Sequence, residues 1–317
     1  MPGSARTDDP AAAHSGTAAG YRRESCDCKT DRCFPVPTDV PPAIPDAPAP
    51  AAFDLDAYLR RIGWTGSLDP TLSTLTGLLR AHMLSVPFEN LDVLLGRPIR
   101  LDLAHLQQKI VVARRGGYCF EQSTVFRAAL EAVGFRPVAH AARVVMVTPR
   151  DAAPRTHMFL SIPLAEGTFV VDPGFGGHGP RLPLLLEEHT VSRLDDEVYY
   201  LRRDAGDWVL TTEIDAAPVS LWCSTFEREC GIDFEMGNHF TSTFPGSRFV
   251  TNLLLRALTP DGRVSVMNQD VTIVRGADVD KQRLASRSDL RLLLADHFGF
   301  DLPEVEHLKV PAIPEWT

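Results

Sequence analysis

The stretch "RRGGYCFEQ", Arg114 to Gln122, sets a cysteine just after two glycines and an aromatic residue. Beyond it, Phe126, Leu130 and Val133 recur at helical spacing until Gly134 ends the pattern. The spacing predicts a helix that starts at or near Cys119. Gly116 and Gly117 allow a tight turn with close backbone approach. A thiol is an effective nucleophile only as thiolate, and helix N-termini and neighbouring imidazolium favour that form. A backbone N–H at such a turn also suits an oxyanion. Cys119 is therefore a candidate nucleophile. Cys223, in "LWCSTF", and Cys230, in "RECG", lack the glycine turn and read as ordinary cysteines.

Upstream of this helix the pattern is mostly helical from residue 53 to 134. Leu55, Leu59 and Ile62 share a face with Gly63 at its stop. Asp69-Pro70 reads as an N-cap and first-turn pair before Leu72, Leu75 and Leu79. "LDLAHLQQKIV" adds Leu103, Leu106 and Ile110. Downstream, the texture changes at Phe135. "PVAHAARVVMV", "HMFLSI", "GTFVVDP", "EVYYLRR" and "DWVLTTEI" are short β-rich runs between turns, which suggest an antiparallel sheet closing into a barrel or sandwich. Further on, strands flank an Asp261-Gly262 turn. A last helix carries Leu290, Leu293, Leu294 and Phe298 on one face, with Gly299 as its stop.

A nucleophilic cysteine needs a base, and the base needs an orienting group. His157 stands in "RTHMFLSI" at the head of a strand, and Asp172 in "FVVDPGFGG" at the end of the next. The short turn "LAEGT" between them predicts a hairpin, whose neighbours can bring an imidazole and a carboxylate side by side. Alone, His157 reads as a satisfied strand histidine and Asp172 as a turn residue before Pro-Gly. The three residues together are what point to catalysis.

The chain has 317 residues, 44% of them hydrophobic and 23% charged, which is ordinary for a globular protein of two or three domains. The net charge of −9 argues against general nucleic-acid binding or attachment to an anionic membrane. A local basic patch for a phosphorylated ligand stays open. No apolar run approaches roughly 18 residues, and the N-terminus has no apolar core of a signal peptide. The expected compartment is the cytoplasm. Six scattered cysteines fit reduced thiols better than disulfides. Residues 1–50 read as a disordered Pro/Ala-rich extension, with Cys26, Cys28 and Cys33 as incidental thiols rather than a metal site.

At this point the chain resembles the arylamine N-acetyltransferases. "VPFENLDVLLGRPIRLD" resembles their early helical segment, and "RRGGYCFEQ" the signature around the nucleophile. "THMFLSI" and "VVDPGFGG" resemble the segments with the triad histidine and aspartate, and "DFEMGNHFTSTFPGSRF" a Ser/Thr-rich segment near the coenzyme. The match runs in order over roughly residues 53 to 270. Pro173 stands where the family more often has a small or β-branched residue, and Ser123 where Asn is commoner. The resemblance implies an α+β fold with a cysteine-protease-like Cys-His-Asp core: a helical domain over 51–134 carrying the nucleophile, an antiparallel β-barrel over 135–242 carrying His and Asp, and an α/β lid over 243–317.

It implies a triad of Cys119, His157 and Asp172, acetyl-CoA as donor, an arylamine, arylhydroxylamine or arylhydrazine as acceptor, and no metal. Phe88 and Phe175 would line the acceptor pocket. The loop with Gly174, Gly176 and Gly177 would let CoA approach, and Thr241, Ser242, Thr243 and Ser247 would donate to its phosphates. Glu89 and Arg115 are expected to form a structural salt bridge. Two rival activities share the triad: an amide synthase that releases an acyl chain from a carrier thioester, and a cysteine hydrolase or transglutaminase-like enzyme. The oligomeric state is open.

Overall fold

The structure is a computed structural model that describes residues 53–194 and 197–316. The expectations for residues 1–50, Cys26, Cys28 and Cys33 included, lie outside the described residues. Helix α1, Leu55–Ile62, is opened by the Asp54 carboxylate, which accepts the Ala57 N–H at 2.8 Å, and is closed by Gly63 in the left-handed region. Helix α2, Leu72–Ser85, is capped by Thr71, whose hydroxyl accepts the Thr74 N–H at 3.3 Å. The cap expected at Asp69 is therefore two residues early. Asp69 instead accepts from the Ser67 hydroxyl at 2.9 Å and shapes the turn before the helix.

A two-residue strand β1, Phe88–Glu89, and a one-turn helix α3, Leu91–Leu94, follow. Helix α4, Leu103–Leu106, runs on into a wider π-type segment, Gln107–Val112. Helix α5 spans Cys119–Val133 and ends on Gly134. Its N-terminus is held by Glu121, whose carboxylate reaches back to the Tyr118 N–H at 3.1 Å. Gly116 has a steric reason to be glycine: a Cβ there would lie 1.9 Å from the Pro87 carbonyl oxygen.

Eight antiparallel strands come next: β2 Val138–Val144, β3 Arg155–Leu164, β4 Gly167–Val171, β5 Leu184–Leu185, β6 Thr190–Leu194, β7 Glu197–Asp204, β8 Asp207–Ile214 and β9 Ala217–Ser224. Their order in the sheet is β5-β4-β3-β2-β9-β8-β7-β6. The pairing of β2 with β9 joins the two runs into one sheet, which curls into a nearly closed barrel, so the sequence's choice of barrel or sandwich falls to the barrel.

Helix α6, Gly231–Thr243, and the short α7, Arg248–Thr251, lead to a second sheet. Its strands are β10 Leu254–Thr259, β11 Gly262–Met267, β12 Asp270–Arg275 and β13 Asp278–Arg283. β1 joins its edge by pairing with β10, so the helical segment supplies one strand of the C-terminal layer. Helix α8, Arg287–Leu293, extends through a π-type turn to Phe298 and stops at Gly299, as its apolar face and terminal glycine predict.

The largest apolar cluster welds helices to barrel. Tyr58, Leu75, Leu79, Phe126 and Leu130 pack in one core with Leu160 and Ile162 of β3. Burying each such side chain contributes about 1.5–3 kcal/mol. That packing fixes α5 against β3, and the Ser123 hydroxyl adds a bond to the Met158 carbonyl at 2.8 Å. Among the described residues, no helix is long and apolar enough to cross a membrane.

Candidate active site

Cys119 is the first residue of α5, where the backbone N–H groups have no intrahelical acceptor. Its side chain is buried, and its sulfur lies 3.7 Å from the Thr156 carbonyl oxygen. Gly174 closes over it from the other side. A Cβ on Gly174 would lie 2.6 Å from the Cys119 Cα, so only glycine lets that loop pass.

His157 and Asp172 come from the predicted hairpin. Its register pairs Leu160 with Val171, and one further step sets Phe159 opposite Asp172. His157 lies two residues on, on the same face, as the diagonal neighbour. The ring Nε2 and the Asp172 Oδ2 are 2.8 Å apart, and both residues are buried. The Cys119 thiol is close enough to act on the imidazole as well, and both side chains face the same cavity. Burial by itself would lower the His157 pKa. The Asp172 carboxylate, with Cys119, outweighs that effect and pushes the pKa up to about 10. The structure thus brings Cys119, His157 and Asp172 into one row.

Trp222 was not singled out by the sequence. Its indole N–H donates to the same Asp172 Oδ2 at 3.0 Å, and its ring stacks on Phe159 with centroids 4.4 Å apart. It comes from β9, which lies beside β2 only because the runs β2–β5 and β6–β9 join there into one sheet. A tryptophan 50 residues after the aspartate carries no sequence signal that it will return to it. The second Asp172 oxygen, Oδ1, is buried without a hydrogen-bond partner in the protein.

A second polar cluster lies behind the same helix start. Arg115 donates to Glu89 and to Asp92, each at 2.7 Å, so the Glu89–Arg115 pairing expected from sequence is present. Lys109 adds contacts to Glu121 at 2.6 Å and to Asp92 at 2.8 Å. Burial pushes the Glu121 carboxyl pKa up, against the opposing pull of the Lys109 ammonium. Glu121 was legible in part, because Glu at the third position of a helix commonly caps it. Asp92 and Lys109 were not.

The row opens onto a cavity of about 550 Å³. Phe88, Phe175, Gly174, Gly176, Gly177, Thr241 and Ser247 all line it. The Phe175 ring meets the His157 ring edge-on at 5.2 Å. Ser242 and Thr243 do not line it. The segment with these hydroxyls is helix α6, and they are engaged along it. Thr241 donates to the Gly237 carbonyl at 2.8 Å, Ser242 to Asn238 at 2.8 Å and Thr243 to His239 at 2.6 Å. The Ser247 hydroxyl donates to the Thr241 carbonyl at 2.6 Å. Each would have to turn before it could meet a phosphate. Among the described residues, no three His, Cys, Asp or Glu side chains are placed to hold a metal ion.

Comparison with known proteins adds to this geometry. Residues 71–307 match the N-acetyltransferase family. An arylamine N-acetyltransferase of Mycobacterium tuberculosis is 36% identical over 259 residues, covering 80% of this chain and 92% of that protein. The solved structure of the M. smegmatis arylamine N-acetyltransferase superposes with a TM-score of 0.76 at 36% identity, covering 84% of this chain and 99% of that one. The Mycobacterium marinum arylamine N-acetyltransferase solved in complex with CoA has a TM-score of 0.75 at 35% identity, covering 80% and 94%.

Proposed function

The chain belongs to the arylamine N-acetyltransferase family, and on that premise we propose that it moves acetyl from acetyl-CoA to arylamines, arylhydroxylamines or arylhydrazines through an acetyl-Cys119 intermediate. The observation that carries the reading is the buried His157–Asp172 pair at 2.8 Å, in line with Cys119 at the wall of an aromatic-sided cavity.

In the first half-reaction the Cys119 thiolate attacks the thioester carbonyl carbon. The resulting oxyanion has the Cys119 backbone N–H, at the positive end of α5, as a donor. Collapse breaks the bond to the CoA sulfur, and CoA leaves as its thiol with the proton that His157 carries. The raised His157 pKa suits it to rest as the imidazolium partner of a thiolate. Acetyl now sits on Cys119 as a thioester, so the exchange is close to balanced in energy.

In the second half-reaction the amine nitrogen attacks the acetyl carbon. An arylamine is unprotonated near neutrality, so its lone pair is available. His157, now neutral, takes the proton that the nitrogen sheds, and the Cys119 thiolate leaves. Asp172 holds the ring in one orientation throughout and stabilises its charged form. Phe88 and Phe175 would flank the flat acceptor. The Gly174–Gly177 loop would admit CoA, with Thr241 and Ser247 the nearest of the expected hydroxyls. We place the reaction in the cytoplasm, with no nucleic acid or membrane involved.

Intact-mass measurement tests this directly. Acetyl-CoA alone should add one acetyl group to the wild type and none to Cys119→Ala, and that variant should release no CoA with any aromatic amine or hydrazine. An adduct carried by Cys223 or Cys230 instead would overturn the assignment.

A further inference from the structure

The cavity holds a cation that the triad does not use. Arg256, on β10, lines it, yet its Nε is buried with no hydrogen-bond partner, and the guanidinium forms no ion pair among the described residues. A half-buried guanidinium whose Nε is shut from water without a partner carries a desolvation cost, so its place needs a reason. Register supplies the geometry. Arg256 pairs with Phe88 of β1 on one side and Ser265 of β11 on the other. Directly paired residues project from the same face of a sheet, and all three line the cavity.

The surroundings are cationic. Arg263 pairs with Leu258, two residues from Arg256, and so projects from the same face. His178 also lines the cavity, and burial together with both arginines pulls its pKa down. The acid nearest to hand, Glu197, is already engaged: it accepts from Arg181 at 3.0 Å and from the Tyr199 hydroxyl at 3.1 Å. Burial and the neighbouring Arg263 draw the Arg256 pKa to about 10, which leaves it charged at neutral pH. A chain with net charge −9 therefore keeps a local positive excess inside its active-site cavity.

We propose that Arg256, backed by Arg263, forms an anion subsite that selects acceptor amines carrying a ring carboxylate or sulfonate. This deepens the acetyl-transfer reading and rests on it. Position favours the acceptor over the phosphates of CoA. Phe88, the expected acceptor wall, is the direct cross-strand neighbour of Arg256. The loop that touches the Cys119 backbone at Gly174 reaches the arginine three residues later, where a Cβ on Gly177 would lie 3.7 Å from Nη1. Three residues span at most about 10 Å. That is a distance a benzene ring with substituents at opposite ends can bridge, amine at the sulfur and anion at the guanidinium. A bidentate carboxylate would give Arg256 the partner it lacks.

The test compares 4-aminobenzoate with the neutral 4-methylaniline in the full-length enzyme. The ratio of their kcat/KM values should fall at least tenfold in Arg256→Gln and be partly kept in Arg256→Lys. On the wild type alone, benzoate should compete against 4-methylaniline at least tenfold better than benzamide does, which keeps the question answerable if the variants fold poorly. An unchanged acceptor ratio, or equal inhibition by benzoate and benzamide, overturns the subsite. So does slower acylation of Cys119 by acetyl-CoA with the acceptor ratio intact, which would give the arginine to a CoA phosphate. Failure of the wild type to acetylate either amine would refute the acetyl-transfer reading instead.

Discussion

Two buried polar clusters flank the first turn of α5, and they are built from similar groups to different ends. On the cavity side, His157, Asp172 and Trp222 form a single file that ends on the Cys119 sulfur. On the far side, Lys109 and Arg115 are locked among Glu89, Asp92 and Glu121, none of which lines the cavity that the row opens onto. The file leaves the imidazole one face toward a reactant, so its proton can move. The locked cluster meets each cation with two or more carboxylates, so no proton has anywhere to go. One cluster is suited to chemistry and the other to holding a helix start still.

The sharpest way to break that division is to strip each side in turn. Asp172→Asn should lower kcat/KM by a factor on the order of 10³–10⁴ with the fold retained, because the amide cannot stabilise the imidazolium. Steady-state kinetics beside a thermal melt check it, and near-normal turnover would remove Asp172 from the row. Lys109→Met should do the reverse. It leaves Asp92 and Glu121 buried without their ammonium, which should cost about 3–5 kcal/mol of stability in urea unfolding. Unfolding at the wild-type urea midpoint would show that the cluster holds nothing.

Titration should separate the clusters next. The folded chain keeps the His157 proton above pH about 6.5, where the unfolded chain has released it. The stabilisation is thus full below pH 6.5 and is lost as pH rises through about 10. Unfolding free energies from urea titrations at pH 6.5 and 9.5 should differ by a few kcal/mol in the wild type, on the order of what a shift of that size carries, and by clearly less in Asp172→Asn. An equal slope in both would mean that the pair does not hold the proton. The smallest effect belongs to Trp222→Phe. It keeps the stacking on Phe159 and loses one N–H bond to a carboxylate, so activity should fall about tenfold. A full loss would mean that the indole shapes the barrel rather than the triad.

The fold and the row of three were legible where the signals are local. Gly-Gly before Cys119 reports a close backbone approach, and the apolar spacing to Gly134 reports the helix. The two-residue turn at Ala165 and Glu166 reports the hairpin that carries His157 and Asp172. What escaped depends on contacts made only after folding. Trp222 reaches Asp172 through the long-range pairing of β9 with β2, which no single strand announces. Thr71 rather than Asp69 caps α2, because either side chain could cap and only the backbone path decides. Helix α6 was hidden by its glycines and hydroxyl residues, poor helix formers whose side chains turn out to bond the carbonyls one turn back. Arg256 looked like any arginine in a strand until its face was known.

The two residues of β1 have a mechanical consequence. Phe88 bridges Gly117, two positions before the nucleophile, and pairs with Arg256 of the C-terminal sheet; Glu89 next to it grips Arg115. The strand works as a clasp between the lid and the base of the nucleophile helix. Any rocking of the lid that widens the compartment must drag on the peptide that aims the sulfur, so how large a guest the enzyme admits and how well it strikes that guest are geared together.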